Sequence, residues 1–365
     1  MANIVLGDIV KVISEHISNP STSGYDRFVG LEHYDAGEPV ITRFGDTASL
    51  TTSVKHFVAN DILVARRNVY LKRAGVVRFE GVTSGDSIVL RVVDEHYAGI
   101  IPFVLNTDDF WDYAEQNADG TMSKRLSPDI LLEYEFDIPD NHIEIADKLW
   151  AAYELKEAYK KMIAATDEMV KSQFIEMFEG GKYPYVALKD IASEWLKGQA
   201  FRKDDIIEDG LTLCIHYGEL FTKYGPIIRN VTSRTNADKK RLSRHGDILF
   251  PASDVTPNGL ARCSMLPFDN VILGGDLIVL RLKDGYNPAY ISCAINQQTA
   301  QLLIRVNGAV VKHMAAKSLM TVEIPIAPIE KQDKFVAIVE QADKSKFESQ
   351  QAIEKIDKVM KSLLQ

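Results

Sequence analysis

Two stretches of this sequence read almost alike: SGDSIVLRV at Ser84–Val92 and GGDLIVLRL at Gly274–Leu282. Each is a run rich in Ile, Val and Leu that follows a Gly-Asp turn, the pattern of a buried β-strand. A second pair, NDILVARR from Asn60 and GDILFPAS from Gly246, repeats after 186 residues, against 190 for the first. The repetition predicts two similar strand-rich units in one chain.

The repeat extends along the whole chain. VLGDI at Val5 resembles ALKDI at Ala187, and LLEYEFDIP at Leu131 resembles SLMTVEIPIAP at Ser318. Both of the later segments run into a long stretch without Gly or Pro, in which DKLWAAYE matches DKFVAIVE and DEMVKSQF matches DKVMKSLL. This order predicts a strand-rich unit, a long helix, a second unit and a second long helix.

Both long segments carry apolar residues in alternating steps of four and three, which is the heptad pattern of paired helices. We expect helices of about 30 to 35 residues, roughly 45 to 50 Å long. Two such helices pairing antiparallel would form a coiled-coil stalk; the alternative is that each helix lies on its own unit. The heptad positions are Ile145, Leu149, Ala152, Lys156, Tyr159, Ile163, Thr166, Val170, Gln173 and Met177, then Phe335, Val339, Ala342, Lys346, Ser349, Ile353, Ile356, Met360 and Leu363.

The predicted fold class is therefore α+β, with two β-rich α/β domains related by pseudo-twofold symmetry and joined by two antiparallel helices. We place the first domain at residues 1–142 and the second at 181–328. The central helix occupies 143–180 and the carboxy-terminal helix 329–365.

Composition limits the class of protein. Apolar residues make up 46% and charged residues 25% of the 365, which is typical of a folded globular protein. The apolar runs are shorter than a membrane span and the amino terminus lacks a signal-peptide pattern, so we expect a cytoplasmic protein. Cys214, Cys263 and Cys293 have no metal or disulfide spacing and are predicted to be buried thiols. The net charge of -9 leaves room only for local basic surfaces.

This order of parts resembles the specificity subunit of type I restriction-modification enzymes. The resemblance covers essentially the whole chain and rests on an ordered set of motifs: GDIV, YDRFVGLEHYDAG, NDILVARRNVYLKR and FEGVTSGDSIVLR, then KYPYVALKDIASEW, RHGDILF, GGDLIVLRL and IPIAPIEKQDKFVAIVE. The two halves differ where the first has VARRNVYLKRAG and the second PASDVTPNGLAR. In this family such a difference is expected, because the halves read different parts of a split DNA target.

The resemblance also implies partners. Two copies of an adenine methyltransferase subunit would supply S-adenosylmethionine, and a motor-nuclease subunit would supply ATP hydrolysis with Mg²⁺. These subunits would dock on the helices and the recognition domains. The chain itself is then expected to hold no cofactor.

Three sequence features bear on whether the chain is catalytic. NPAY at Asn287–Tyr290 is similar to the Asn-Pro-Pro-Tyr signature of adenine methyltransferases, but no glycine-rich turn for S-adenosylmethionine precedes it, and a helix start at Pro288 explains it. The acidic run FRKDDIIEDG is interpreted as a solvated turn. No Walker-type glycine loop occurs. We therefore predict a non-catalytic chain.

The candidate DNA-binding residues lie in two basic stretches and two polar loops. Residues 60–80 contain five basic and two acidic side chains, and residues 226–246 contain six basic and one acidic. Arginine can pair bidentately with guanine and asparagine with adenine, whereas lysine more often holds phosphate. The candidates are Arg66, Arg67, Asn68, Tyr70, Lys72, Arg73, Lys124, Arg125, Arg229, Arg234, Asn236, Lys239, Lys240, Arg241, Arg244, Lys312 and His313.

The sequence thus predicts a DNA-recognition scaffold that binds a bipartite, asymmetric duplex, one half per domain, with the helices setting the half-site spacing. Two alternatives remain open. One is a self-contained adenine methyltransferase with duplicated recognition modules. The other is a coiled-coil adaptor that binds only proteins.

Overall fold

A computed structural model describes residues 2–120 and 123–364. The chain divides into two compact units. Unit 1 comprises residues 1–160 and 350–365, and unit 2 comprises residues 161–349. Within the described ranges, no helix combines the length and apolar character needed to cross a membrane.

Unit 1 is built mainly from short strands. They are β1 (Ala2–Val5), β2 (Val10–Ile13), β3 (His16–Ile17), β4 (Arg27–Val29), β5 (Val40–Ile41), β6 (Gly45–Asp46), β7 (Val54–Phe57), β8 (Ile62–Ala65), β9 (Ala74–Val77), β10 (Gly81–Thr83), β11 (Ser87–Val92) and β12 (Glu135–Ile138). They form sheets in the orders β1-β12, β3-β7-β10-β4-β6 and β2-β11-β8-β9-β5. The helices are α1 (Leu6–Ile9), α2 (Ile101–Val104), α3 (Asp108–Asn117), α4 (Pro128–Leu132) and the start of α5 (His142–Phe178), with 3-10 turns at Pro20–Thr22, Leu31–His33, Val69–Leu71 and Glu95–Tyr97.

Unit 2 repeats this plan. Its strands are β13 (Tyr185–Ala187), β14 (Ala192–Lys197), β15 (Thr212–His216), β16 (Arg234–Thr235), β17 (Asp247–Pro251), β18 (Ser253–Asp254), β19 (Ser264–Leu266), β20 (Ile272–Gly274), β21 (Leu277–Leu282), β22 (Lys312–His313) and β23 (Glu323–Pro325). The sheet orders are β13-β23, β14-β21-β17-β19, β16-β15-β20 and β18-β22. The helices are α6 (Leu188–Ile191), α7 (Glu219–Thr222), α8 (Pro257–Leu260), α9 (Pro288–Gln297), α10 (Thr299–Leu303), α11 (Ala316–Leu319) and α12 (Ile329–Leu363), with a 3-10 turn at Lys203–Asp205.

The repeated stretches form the same strand pair in both units. In unit 1, β8 and β11 are antiparallel, with Ile62 opposite Leu90. In unit 2, β17 and β21 are antiparallel, with Ile248 opposite Leu280. These are the residues that the sequence repeat aligns, so the predicted strands are confirmed and the repeat preserves their register.

Each copy of this strand pair carries an Asp–Arg ion pair whose carboxylate is buried. Asp61 begins the first copy and accepts from Nε and Nη2 of Arg91, both at 2.7 Å. Asp247 begins the second and accepts from Nε of Arg281 at 2.9 Å. The same carboxylates cap the preceding turns, through Val58 N at 2.9 Å and Arg244 N at 2.9 Å. The repeated Asp and Arg therefore join the start of the first strand to the end of the second in both units.

The main core of each unit lies between this sheet and the helices. In unit 1, Ile62 and Ile88 pack in one buried cluster with Trp111 of α3 and Leu149 of α5. In unit 2 the cluster includes an aromatic group in which the Phe178 and Tyr290 ring centroids lie 4.8 Å apart and Phe174 and Phe335 lie 5.5 Å apart. All four rings are fully buried. This aromatic group anchors α5, α9 and α12 to one another.

The two long helices span 37 and 35 residues. Every heptad position predicted from the sequence is buried or half-buried in both helices. Between Lys161 and Met169, the only half-buried positions of α5 are the predicted Ile163 and Thr166. The heptad pattern therefore identifies the buried face of α12, whereas in α5 the buried Ala146, Tyr153, Phe174 and Phe178 each lie one residue after a predicted position.

The helices meet in antiparallel orientation within each unit. In unit 1, Lys156 Nζ lies 2.8 Å from Asp357 Oδ1. In unit 2, Lys346 Nζ lies 2.8 Å from Asp167 Oδ1, and Phe335 meets Phe174 farther along the pair. Both lysines occupy heptad positions, and the sequence repeat aligns Lys156 with Lys346 and Asp167 with Asp357. The polar breaks in the heptads are thus used for helix-to-helix ion pairs.

His56 on β7 gives unit 1 a pH-dependent contact. Its Nδ1 lies 3.0 Å from Glu15 Oε2 and its Nε2 lies 2.9 Å from Glu80 Oε1. Burial lowers the pKa of His56, but the two carboxylates outweigh burial and raise it above the usual 6.5. The stabilisation is therefore complete below pH 6.5 and is lost as pH rises through the folded-state pKa.

We expect the His56→Gln variant to lose more unfolding free energy at pH 5.5 than at pH 9. Urea titrations of the wild type and the variant at both pH values measure this difference. His16 is exposed, and its Nε2 lies 3.2 Å from Ser14 Oγ. His16→Gln therefore serves as an exposed-histidine control. A His56→Gln deficit that stays constant across this pH range would show that His56 is neutral in the folded protein.

Candidate nucleic-acid interface

Two of the predicted basic segments of unit 1 meet directly. The chain leaves β8 at Arg66, and Arg67 forms an antiparallel bridge with Arg125. Leu126 N donates to Arg66 O at 2.8 Å, and Asn68 N donates to Lys124 O at 2.9 Å. The loop that carries Lys124 and Arg125 includes Thr121 and Met122, which lie outside the described residues. We call Arg66, Arg67, Asn68, Tyr70, Ser123 and Arg125 the arginine tip.

Neighbouring groups orient the side chains of the arginine tip but do not occupy all of their hydrogen-bond donors. Arg67 Nε donates to Ser123 Oγ at 3.0 Å, and Ser123 Oγ donates to Asn68 Oδ1 at 3.1 Å. Asp86 lies 3.7 Å from Arg67 Nη1 and 3.6 Å from Arg125 Nη2, too far for strong hydrogen bonds. Each half-exposed guanidinium keeps donors that face solvent. The arrangement can present planar, bidentate donors to a base edge.

Lys55 adds a cation that the sequence analysis missed. Its Nζ donates to Ser87 O at 2.8 Å. Burial, followed by the positive charge of Arg66, lowers the pKa of Lys55. A single lysine inside the strand sequence VKHF carries no sequence signal of its own, and only the fold places it beside Arg66.

Three other candidates of unit 1 hold the protein together. Arg73 donates to Leu31 O at 3.1 Å and to Arg67 O at 3.0 Å, and burial lowers its pKa. Lys72 pairs with Asp108 at 2.8 Å, and Lys124 donates to Glu115 O at 2.7 Å. These contacts fix the turn after β8, in which Asn68 and Lys72 have positive φ values of 55° and 49°. Their first role is to shape the arginine tip.

The second basic stretch is divided between separate places in unit 2. Arg229 pairs with Asp343 of α12 at 2.5 Å. Arg234 donates to Gly210 O at 3.3 Å and Asn236 accepts from Leu211 N at 2.9 Å. Lys239 is exposed, and Lys240 lies 3.5 Å from Asp238.

Arg241 and Arg244 line a third place, a shallow hollow of about 420 Å³ that also includes Asp269 and Arg281. Arg241 Nε donates to Lys197 O at 3.0 Å, and Arg244 is exposed. The structure thus does not gather residues 226–246 into one basic surface, because their partners lie in three different segments of the unit.

The part of unit 2 equivalent to the arginine tip lies elsewhere. Asn307 bridges His313 as Asp119 bridges Arg125, and β18 pairs Ser253 with His313. Gly120 and Gly308 open the two loops with nearly equal φ values of 104° and 106°. The sequence repeat aligns Ser253 with Arg67, so this position could have been found from sequence. Lys312 and His313 are therefore the unit 2 candidates that occupy the equivalent loop.

A cleft of about 790 Å³ adjoins this loop of unit 2. Its lining includes Val255 and Val311 of this loop, together with Tyr217, Phe221 and Lys223. Lys223 Nζ donates to the buried Glu219 at 2.8 Å. None of these residues was a sequence candidate, because they are apolar, aromatic or isolated in the sequence.

The features weighed as signs of catalysis have structural explanations. Asn287 caps α9 by accepting from Ala289 N and Tyr290 N, Pro288 is its first residue, and Tyr290 is fully buried with its hydroxyl donating to Pro325 O at 2.7 Å. The acidic residues 204–205 and 208–209 are exposed, and the three cysteines are buried and free. The predicted helix start at Pro288, the solvated acidic turn and the buried thiols are confirmed.

Comparison with known proteins gives the family. The model described as type I restriction modification DNA specificity domain matches residues 147–358, more than half of the chain. The chain belongs to this family. A search of curated protein sequences gives no significant match.

Solved structures support the specificity-domain fold. The S subunit of a Type-I restriction-modification system from M. genitalium aligns with a TM-score of 0.60 at 14% identity, over 100% of this chain and 94% of that one. A chain solved in work on complex assembly and conformational transition of the type I R-M system aligns with a TM-score of 0.56 at 15% identity, over 100% and 96%. At these sequence identities the similarity shows the fold alone. The structural alignment extends over the whole of this chain.

Proposed function

We propose that this chain is the DNA sequence-recognition subunit of a type I restriction-modification complex and binds a bipartite, asymmetric duplex with one half per unit. One observation carries the proposal. The framework is duplicated down to its strand register and its Asp–Arg pair with a buried carboxylate, whereas the loops beside β8 and β18 are not duplicated. Two similar frameworks that carry different loops suit a DNA target whose two halves differ in sequence.

The recognition chemistry follows from the type and freedom of each side chain. Arg66, Arg67 and Arg125, with Asn68 and Tyr70, are the groups proposed to read base edges. Lys312 and His313 take the equivalent place in unit 2. The remaining candidates are proposed to contact phosphates or to support the loops, because lysines and tethered arginines carry little sequence information: Lys72, Arg73, Lys124, Arg229, Arg234, Asn236, Lys239, Lys240, Arg241 and Arg244.

The helices are proposed to set the spacing between half-sites. We assign residues 1–142 and 181–328 to the recognition domains, and residues 143–180 and 329–365 to an antiparallel coiled-coil stalk with pseudo-twofold symmetry. Helices of 37 and 35 residues are roughly 50 to 55 Å long, which suits half-sites about one turn of B-DNA, or 34 to 36 Å, apart. Lys156–Asp357 and Lys346–Asp167 hold the helices in one register.

The chain is proposed to work without catalysis of its own. Two methyltransferase subunits would bring S-adenosylmethionine, and a motor-nuclease subunit would bring ATP hydrolysis with Mg²⁺, in the cytoplasm. The burial of Tyr290 supports this division, because a tyrosine inside the core cannot stack on an extruded base. Leu155, Met162 and Met169 form an exposed apolar row on α5 at seven-residue spacing, a surface available to such a partner.

The function is tested by methylome sequencing of a host that expresses this chain with the methyltransferase encoded beside it. We expect a split adenine motif that disappears when the chain is deleted. An unchanged methylome would refute the proposal. Binding of S-adenosylmethionine by the isolated chain, measured by calorimetry, would instead favour a self-contained methyltransferase, and failure to retain a split-site duplex at moderate salt would favour a protein-only adaptor.

A further inference from the structure

The loops at the equivalent tips of the two units have opposite chemistry. In unit 1 the tip presents the guanidiniums of Arg67, which donates to Ser123 Oγ, and of Arg125, with Asp86 within 3.7 Å of both. In unit 2 the ladder of Ser253 with His313 and Asp254 with Lys312 places Val255 and Val311 next to each other at its open end. Val255 is 74% exposed, Val311 45% and Val310 84%. We call Val255, Val310 and Val311 the valine tip.

Three adjacent exposed valines are costly to leave in water, and local structure holds them there. Asp254 accepts from Val255 N at 2.7 Å and from Thr256 Oγ1 at 2.8 Å, which fixes the turn after β18. Gly308 has a φ of 106°, and a Cβ at this position would lie against Val311 O, so the hairpin closes only with glycine. The loop is thus a built turn that presents apolar side chains outward.

Charged and aromatic side chains surround the valine tip. Lys203, Lys223, Glu219 and Asp254 line the adjoining cleft, where Lys223 pairs with Glu219, and Lys312 lies in the tip's own ladder. Tyr217 and Phe221 line the same cleft. Lys203 and Lys312 suit phosphates, which position a duplex without reading its sequence.

From this arrangement, and resting on the proposed function, we infer that unit 2 reads its half-site through thymine methyl groups contacted by the valine tip. Valine has no hydrogen-bonding group, so the only base feature it can recognise in the major groove is the C5-methyl of thymine. The half-site of unit 2 therefore contains at least one A·T pair at the position of the tip. The half-site of unit 1 is recognised instead through hydrogen-bond acceptors.

The test uses the whole chain assembled with its methyltransferase subunits and a duplex carrying the motif found by methylome sequencing. Deoxyuridine replaces thymidine in one half-site at a time, which removes only the methyl group and keeps every base-pair hydrogen bond. We expect about fourfold weaker binding for each contacted methyl in one half-site, measured by fluorescence anisotropy at fixed salt.

Variants assign this effect to the valine tip. In V255A/V311A the uracil penalty is expected to fall below about twofold, because the side chains that touch the methyl are shortened. The exposed Leu211 of the same unit gives the control L211A, which should keep the full penalty. All three side chains are exposed or half-exposed, and the single variant V255A repeats the test with the smallest change to the loop.

Three results would overturn the inference: no thymine in the half-site lost with unit 2, no uracil penalty in the wild type, or a penalty that V255A/V311A leaves intact. A V255A/V311A variant that loses its methyltransferase subunits but keeps the uracil penalty would identify the tip as a protein contact. Failure of the proposed function looks different, since no split motif would then exist.

Discussion

The Asp247→Ala variant is expected to lose about 3 kcal/mol of unfolding free energy in unit 2, at the low end for breaking a buried ion pair. Asp247 is 1% exposed, and the Arg281 side chain 12%. The hydrogen bond that Arg281 donates to Asp247 is the main cause that raises the pKa of Arg281. Removing the carboxylate leaves a mostly buried guanidinium with Glu194 and Leu242 O as its remaining partners, and it also uncaps Arg244 N.

Urea unfolding gives the free energy, and hydrogen exchange assigns the loss to peptides within residues 161–349. Asp247→Asn keeps an acceptor for Arg244 N and should lose less than Asp247→Ala. Asp61→Ala is the matched variant in unit 1, where the Arg91 side chain is 36% exposed and water can replace its partner. We expect Asp247→Ala to lose more unfolding free energy than Asp61→Ala. The reverse order would mean that exposure of the arginine does not govern the cost.

The framework could be predicted from sequence because its signals are local and repeated. The strands of the repeat, the heptad face of both helices and the cap at Asn287 all follow from residue patterns a few positions long. The buried Asp–Arg pair was within reach as well, since both copies keep Asp before the first strand and Arg at the end of the second. An alignment of the two halves identifies that pair as part of the scaffold.

The exposed surface could be predicted only in part, because it depends on contacts between distant segments. Arg73 and Arg67 look alike in sequence, yet Arg73 binds Leu31 O across 42 residues while Arg67 faces solvent. Arg229 belongs to a basic run but pairs with Asp343, 114 residues away. The valine tip has no charge at all, and only the equivalence of Ser253 with Arg67 points to it.

The Arg67→Ala variant is expected to weaken recognition of one half-site by about 10- to 100-fold, the effect of losing one bidentate arginine–base contact. The hydrogen bond from Arg67 Nε to Ser123 Oγ orients the guanidinium of Arg67, so less side-chain freedom is lost when it binds a base. Methylation rates on duplexes with either half-site altered measure the effect. The half-site of unit 2 should remain readable.

Three comparisons separate base reading from charge. Arg43 is a surface arginine of unit 1 paired with Asp35 at 2.8 Å, and Arg43→Ala removes the same charge away from the arginine tip. Loss of a phosphate contact would lower the slope of binding against salt by about one and weaken all sequences alike, whereas loss of a base contact relaxes one position. 7-Deazaguanine in the first half-site removes the N7 acceptor and should weaken the wild type but not Arg67→Ala. Equal losses at both half-sites would move recognition away from the arginine tip.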